Sequence, residues 1–189
     1  KILIFIPSIE DGGVEKNLFL VSNYLNENNF NVEILTCNFD KKNRFSKNIK
    51  FLGIKNNFWQ NKSRKIKYFF CLTILFFNLL FRKEKPLVFA FQANIYAVIV
   101  AKILNTKVIT RSNSAPSGWS RNFIKNIIYK LIIKLADDVM VNSLEFKKTF
   151  KNNFNIDAKC IYNPFNKNFI IKNIKKNKRN TSFFKKKLP

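Results

Sequence analysis

Apolar residues fall in short blocks along this chain, and the blocks switch between a continuous pattern and a helical one. Residues 2–6 form an unbroken apolar run, Ile-Leu-Ile-Phe-Ile. A run of that length, closed by turn residues, is the pattern of a central parallel strand buried on both faces. Glu10-Asp11-Gly12-Gly13 follows as a tight loop. Val14, Leu18, Val21 and Leu25 then recur at helical spacing, which predicts an amphipathic helix over residues 14–27. Residues 31–37 read as a second strand, with Val32, Ile34 and Leu35 apolar. Strand, glycine loop, helix and strand make a βαβ unit with a right-handed crossover.

The alternation continues. Residues 40–50 are polar and basic, the pattern of a surface loop, and residues 51–54 a short third strand. Residues 66–81 are a long apolar run, flanked by Lys62-Ser63-Arg64-Lys65 and Arg82-Lys83-Glu84-Lys85. Strands are predicted over 87–91, 107–110, 139–141 and 159–162, and a helix over 95–104. Residues 111–118 are rich in turn formers and read as a loop. Phe123, Ile127, Ile128, Leu131, Ile132 and Leu135 mark one face of a helix, with Lys125, Lys130 and Lys134 largely on the other. Ser143 is placed to cap a short helix over 144–150. Regular alternation of strands and helices gives a doubly wound, mostly parallel, Rossmann-like α/β sheet. No repeat of 20 to 50 residues interrupts it. One domain is expected over residues 1–170, followed by a Lys- and Asn-rich linker over 171–189.

Composition narrows the chemistry. A chain of 189 residues, 47% hydrophobic, supports one folded domain and is not that of a disordered protein. The net charge of +24 admits three readings: nucleic-acid binding, attraction to an anionic membrane surface, or an AT-rich genome, since Lys, Asn, Ile and Phe are all abundant. The basic residues are spread along the chain without a recognisable nucleic-acid module. There is no histidine, and Cys37, Cys71 and Cys160 are far apart in sequence. That argues against a zinc site and against Ser-His-Asp or Cys-His catalysis, and fits reduced thiols in a cytoplasmic protein. The opening run is too short for a signal-peptide core. The absence of an initiator Met suggests a start inside a longer gene product.

The 66–81 run has about 16 residues, below the roughly 20 that cross a bilayer, and Thr73 and Asn78 interrupt it. A helix buried against the sheet and a helix dipping into a membrane interface between flanking lysines are both open.

In a doubly wound sheet, ligands bind beyond the carboxyl ends of the strands. That rule selects the loops at 10–13, 92–94, 111–118, 142–143 and 163–164, and within them Gly12, Gly13, Gln92, Asn94, Arg111, Asn113 and Asn163 as candidate binding residues. Two glycines before a helix start let a ligand approach main-chain N–H groups, and the helix end favours an anion; an ordinary glycine turn reads the same way. The spacing is not that of a dinucleotide site. Glu15, in the first turn of its helix, suits either capping or ligand contact. Arg111 carries five donors for a phosphate or carboxylate, or braces a loop. Asn163-Pro164 also reads as a structural turn.

Residues 6–16, Ile-Pro-Ser-Ile-Glu-Asp-Gly-Gly-Val-Glu-Lys, resemble the opening of the N-terminal domain of glycosyltransferase family 4, with its Gly-Gly loop and following Glu-Lys pair. Arg111-Ser112-Asn113-Ser114-Ala115-Pro116 resembles the loop after that family's fifth strand. Ala136-Asp137-Asp138-Val139-Met140-Val141-Asn142-Ser143 resembles its Ala-Asp…Asn-Ser segment, and Ile161-Tyr162-Asn163-Pro164 the turn before its second domain. Four matches in order cover nearly all of residues 1–165.

The resemblance implies the N-terminal, acceptor-side half of a two-domain GT-B fold. It implies transfer of a sugar, with retention, from a UDP- or GDP-linked donor to a glycan or lipid-linked acceptor. No cofactor and no metal are expected, and no nucleic-acid partner. Peripheral contact with the inner face of the plasma membrane is expected. The donor-holding half, with its Glu-x7-Glu motif, lies outside these 189 residues, so the chain alone is expected to be inactive. Where several family members place a histidine, this sequence reads Phe89-Ala90-Phe91-Gln92-Ala93-Asn94. Neither Gln92 nor Asn94 can act as a base near neutral pH, so no catalytic residue is assigned. A non-catalytic Rossmann-like module at an anionic membrane surface is the alternative.

Overall fold

The computed structural model describes residues 1–10, 12–53, 57–113 and 122–164. The elements run β1 (Ile2–Phe5), α1 (Gly13–Glu27), β2 (Val32–Leu35), β3 (Lys50–Leu52), α2 (Asn57–Gln60), α3 (Arg64–Phe81) and β4 (Leu87–Ala90). They continue with α4 (Asn94–Ile103), β5 (Val108–Ser112), α5 (Phe123–Ile133), β6 (Asp138–Val141), α6 (Leu144–Phe154) and β7 (Lys159–Cys160). The strands form one seven-stranded sheet in the order β3-β2-β1-β4-β5-β6-β7, parallel throughout. The expected Rossmann-like α/β class holds. The strand order reverses between β1 and β4, which opens a crevice at their carboxyl ends.

The continuous apolar runs are explained by two cores, one on each face. On one side Leu3, Phe5, Leu35, Val88 and Val108 meet α3, α4, α5 and α6 through Leu75, Leu79, Val98, Ile133 and Phe150. On the other, Ile2, Ile4, Ile34 and Phe89 meet Leu18 and Phe19 of α1. Successive strand residues serve opposite cores, as the pleat requires. Ser143 caps α6 as expected, its Oγ accepting from the Phe146 N–H at 3.1 Å. That helix runs on to Phe154, because Phe150 and Phe154 both bury against the sheet.

Several expectations are corrected. The 40–50 stretch is not simply a surface loop. A 3-10 turn spans Phe39–Arg44, and Phe45 and Ile49 are buried. The ring of Phe45 packs against Phe19 and Phe51 at centroid distances of 4.7 and 5.0 Å, so two apolar anchors pin a segment whose charges face water. Arg111 and Ser112 belong to β5 rather than to a loop, because they pair in register with Met140 and Val141.

The apolar face read on α5 is not its buried face. Ile127, Ile128, Leu131 and Leu135 are exposed, while Ile133 is buried and Ile132 partly so. α3 is likewise buried on one side only, through Lys67, Cys71, Leu75 and Leu79. Among the described residues no helix is long and apolar enough to cross a membrane. Ile54, the loop residues 114–118 and the 171–189 linker lie outside the described residues.

Candidate functional site

A cavity of about 950 Å³ opens at the carboxyl edge of the sheet. Its floor is the β1–β4 crevice. Gly12, Gly13 and Glu15 come from the first turn of α1, Gln92 and Asn94 from the end of β4 and the start of α4, and Arg111 and Asn113 from β5 and its exit. Seven of the eight sequence-selected residues thus line one space. The eighth, Asn163, is not on its wall but meets Arg111 behind it, its Oδ1 accepting from Nη2 at 2.9 Å.

The glycines act differently from one another. Gly12 has an ordinary extended backbone, φ −111°, so no left-handed turn demands glycine there. The demand comes from Glu15, whose carboxylate folds back to accept from the Gly12 N–H at 3.0 Å and the Glu10 N–H at 3.3 Å. A Cβ on Gly12 would sit 2.7 Å from Glu15 Oε2. Gly13 has open space around it. Glu15 therefore caps α1, and its negative charge already occupies amides that the helix end would offer an anion.

Arg111 is 2% exposed, with the face of Phe91 5.9 Å from its guanidinium carbon. It donates to Asn163 Oδ1 and, at 3.5 Å, to the Ile161 carbonyl. Burial pushes its pKa below the ordinary arginine value. Its Nε has no partner among the described residues. Asn94 donates its Nδ2 to the Arg111 carbonyl at 2.9 Å, which leaves Oδ1 buried and unpartnered. Ser112 Oγ and Asn113 Oδ1 are buried without a described partner as well. Gln92 is held at the crevice by its Oε1, which accepts from the Ser8 N–H at 3.2 Å.

Sequence reasoning missed the other wall. Arg64 and Tyr68 of α3, Tyr96 of α4 and Tyr129 of α5 all line the cavity. Arg64 grips Glu10 with two bonds, Nε to Oε1 at 3.1 Å and Nη2 to Oε2 at 2.5 Å. That contact holds the Glu10 carboxyl below the usual carboxylate range and raises Arg64. Burial pushes the Tyr68 hydroxyl up. Lys67, 7% exposed, reaches Asn38 Oδ1 at 3.3 Å and Ser8 Oγ at 3.5 Å, joining the loops after β1 and β2. The signal was available: crossover helices run antiparallel to the strands, so their N-terminal turns lie at the carboxyl edge. The basic cluster before residue 66 marks such a turn at the start of α3. Among the described residues no group of His, Cys, Asp or Glu is placed to hold a metal ion.

No protein-family model matches the chain, and no curated protein matches it in sequence. Solved structures do. The Anabaena Alr3699/HepE protein in complex with UDP superposes with a TM-score of 0.61 at 15% identity, covering 88% of this chain and 44% of that one. The chain has the fold of one Rossmann-like half of a GT-B protein. A glycosyltransferase from Rickettsia africae ESF-5 matches this GT-B half with a TM-score of 0.56 at 18% identity, over 85% of this chain and 41% of its own. The apo lipopolysaccharide outer core galactosyltransferase WaaB gives 0.55 at 16%, over 87% and 46%. The chain therefore spans under half the length of these structures.

Proposed function

We propose that this GT-B half forms the acceptor side of a retaining glycosyltransferase of the family 4 type, which moves a sugar from a UDP- or GDP-linked donor to a lipid-linked or polysaccharide acceptor. The observation that carries the reading is the set of buried, unpartnered oxygens on Asn94, Ser112 and Asn113 along one cavity wall. A buried acceptor without a donor costs on the order of 1–3 kcal/mol. A ligand bearing several hydroxyl donors offsets that cost wherever it reaches these groups, and a sugar is such a ligand. Anabaena Alr3699/HepE, of matching fold, is known in complex with UDP-glucose.

The retaining reading is supported by the state of the two carboxylates on the cavity wall. Glu10 is tied to Arg64 and Glu15 to main-chain amides, which leaves neither free to deprotonate an acceptor hydroxyl. The hydroxyl then attacks the anomeric carbon as the bond to the donor phosphate breaks, and a phosphate oxygen takes its proton. The role of this half is to hold the acceptor and exclude water. The test is transfer of labelled sugar from UDP- and GDP-sugars, measured for the full product of the encoding gene and for residues 1–189 alone. Turnover is expected from the first and none from the second. Turnover by residues 1–189 alone, or by neither, would sink the reading.

A further inference from the structure

We propose that Cys37 and Cys71 form a dithiol site that reacts with hydrogen peroxide and closes to a disulfide, tying the end of β2 to α3. The two residues are 34 positions apart in the chain, yet the fold sets their sulfurs 3.4 Å from each other. Both are free thiols and both are fully buried. Cys160, the third thiol, lies on β7 at the other side of the sheet.

A free cysteine often packs as a small apolar residue, so contact alone does not make a site. Three further features do. The first is the direction of the hydrogen bonds. Cys37 donates its Sγ–H to the Lys67 carbonyl at 3.9 Å, which leaves Cys71 as the donor between the two sulfurs. That bond holds the Cys37 thiol below its ordinary value, and the Lys67 ammonium works the same way against burial. The same bond, with burial, pushes Cys71 up. One sulfur therefore favours the thiolate while the other keeps its proton, as an attacking and a resolving thiol do. The second feature is the charge of Lys67 itself. It is 7% exposed, and the groups it donates to, Asn38 Oδ1 and Ser8 Oγ, are neutral. A buried ammonium with neutral partners favours a negative group beside it. The third is access. The N-cap of α3, Ser63, makes no side-chain cap bond, and the first turn carries Arg64 and Lys65 but no acid. Positive charge at a helix N-terminus opposes the dipole, so this end opens easily. The Cys37 sulfur lies against the Lys67 carbonyl, one turn inside that end.

The step balances with hydrogen peroxide as the oxidant. The Cys37 thiolate attacks one peroxide oxygen, the S–O bond forms and the O–O bond breaks, and the departing hydroxide takes a proton and leaves as water. The Cys71 sulfur then attacks the Cys37 sulfenic acid. The S–S bond forms, the S–O bond breaks, and hydroxide leaves with the Cys71 proton as a second water. Two thiols are oxidised by two electrons, and one peroxide is reduced. Arg64 and Tyr68 of the same helix line the cavity, so the bridge would fix that wall to the sheet.

The experiment treats the folded 189-residue chain with hydrogen peroxide, alkylates the remaining thiols in urea, and maps the peptides without reductant. The Cys37 and Cys71 peptides should appear joined, with two hydrogens lost, and dithiothreitol should separate them. The Cys160→Ser variant should form the same bridge and keep no free thiol. The oxidised chain should unfold at a higher urea midpoint, because the bridge closes a long loop in the unfolded chain. Cys71→Ser should stop at a sulfenic acid on Cys37 that dimedone traps, and Cys37→Ser should give about a tenth of that label or less. Both thiols still open to alkylation after Cys160 has oxidised would mean a packing contact only, and overturns the proposal. So would a bridge through Cys160, a bridge formed only when peroxide is added in urea, a lowered midpoint, or dimedone on Cys71 ahead of Cys37. Should a serine variant at 37 or 71 not fold, the mapping of the Cys160→Ser chain decides alone.

Discussion

The two adjacent glycines give the sharpest contrast at the scale of single residues. A Cβ at Gly12 would displace the Glu15 carboxylate, and with it the cap on the Gly12 and Glu10 amides. A Cβ at Gly13 meets nothing within 4 Å. Gly12→Ala is therefore expected to cost about 1 kcal/mol, the usual worth of a lost cap. Gly13→Ala should be neutral or stabilising by about 0.5 kcal/mol, since alanine loses less chain entropy on entering a helix. Urea unfolding of both variants checks this, and equal losses would show that the cap is not what selects glycine. Gly13 still faces the cavity. A ligand lying against the first turn of α1 should therefore bind the Gly13→Ala variant more weakly although its stability is intact.

At the scale of elements, Glu33 is the joint between three of them. It sits buried on β2, with Lys1 before β1 at 3.0 Å and Arg82 after α3 at 2.5 Å. Burial alone would push its carboxyl up, but the hydrogen bonds from Lys1 and Arg82 outweigh burial and hold it below its ordinary 4.5. A carboxyl depressed in the folded state contributes stability that is present above the ordinary value and lost as pH falls through the lower folded one. Glu33→Gln should thus cost about 2–4 kcal/mol at pH 7, with the gap from the natural chain closing in acid. Urea midpoints at pH 7 and in the acid range measure it, and a gap that stays constant would put the loss down to packing. No sequence pattern announced this joint. Glu33 lies inside an apolar strand, and its partners are 32 and 49 positions away. The strands and helices themselves were legible because each is a local pattern: Ile2 to Ile6 could only be central, and Ser143 could only be a cap. Bounds slipped where pairing decided them, as at Arg111 and Ser112. The outward apolar ridge of α5 was misread for a related reason. Periodicity finds an apolar stripe, but only the packing of neighbours says whether the core takes it. The cavity residues on strand ends were legible from the topological rule. Arg64, Tyr68 and Tyr96 lie in the opening turns of α3 and α4, which reach the same edge, and Tyr129 lies mid-helix on α5, where only packing brings it to the cavity.

For the whole molecule the dominant quantity is charge, 35 basic residues against 11 acidic. Many of the acids that exist are already paired, Glu10 with Arg64, Glu33 with Lys1 and Arg82, Asp137 with Lys102 and Asp138 with Lys159. The unbalanced lysines therefore repel one another across the surface, and this repulsion works against the compact state. Salt screens such long-range terms beyond about 10 Å at 0.1 M, while short ion pairs partly out of water are screened less. Two signs then compete, and magnitude decides between them. Exposed pairs such as Lys159–Asp138 contribute about 0–1 kcal/mol each, whereas the excess charge acts on every basic residue at once. Added sodium chloride is accordingly expected to raise the thermal midpoint, against the usual expectation for a protein held by surface ion pairs. A midpoint that falls with salt would mean that the paired acids outweigh the excess charge. The lysines flanking α5 would then have to be treated as local partners rather than as part of a global field.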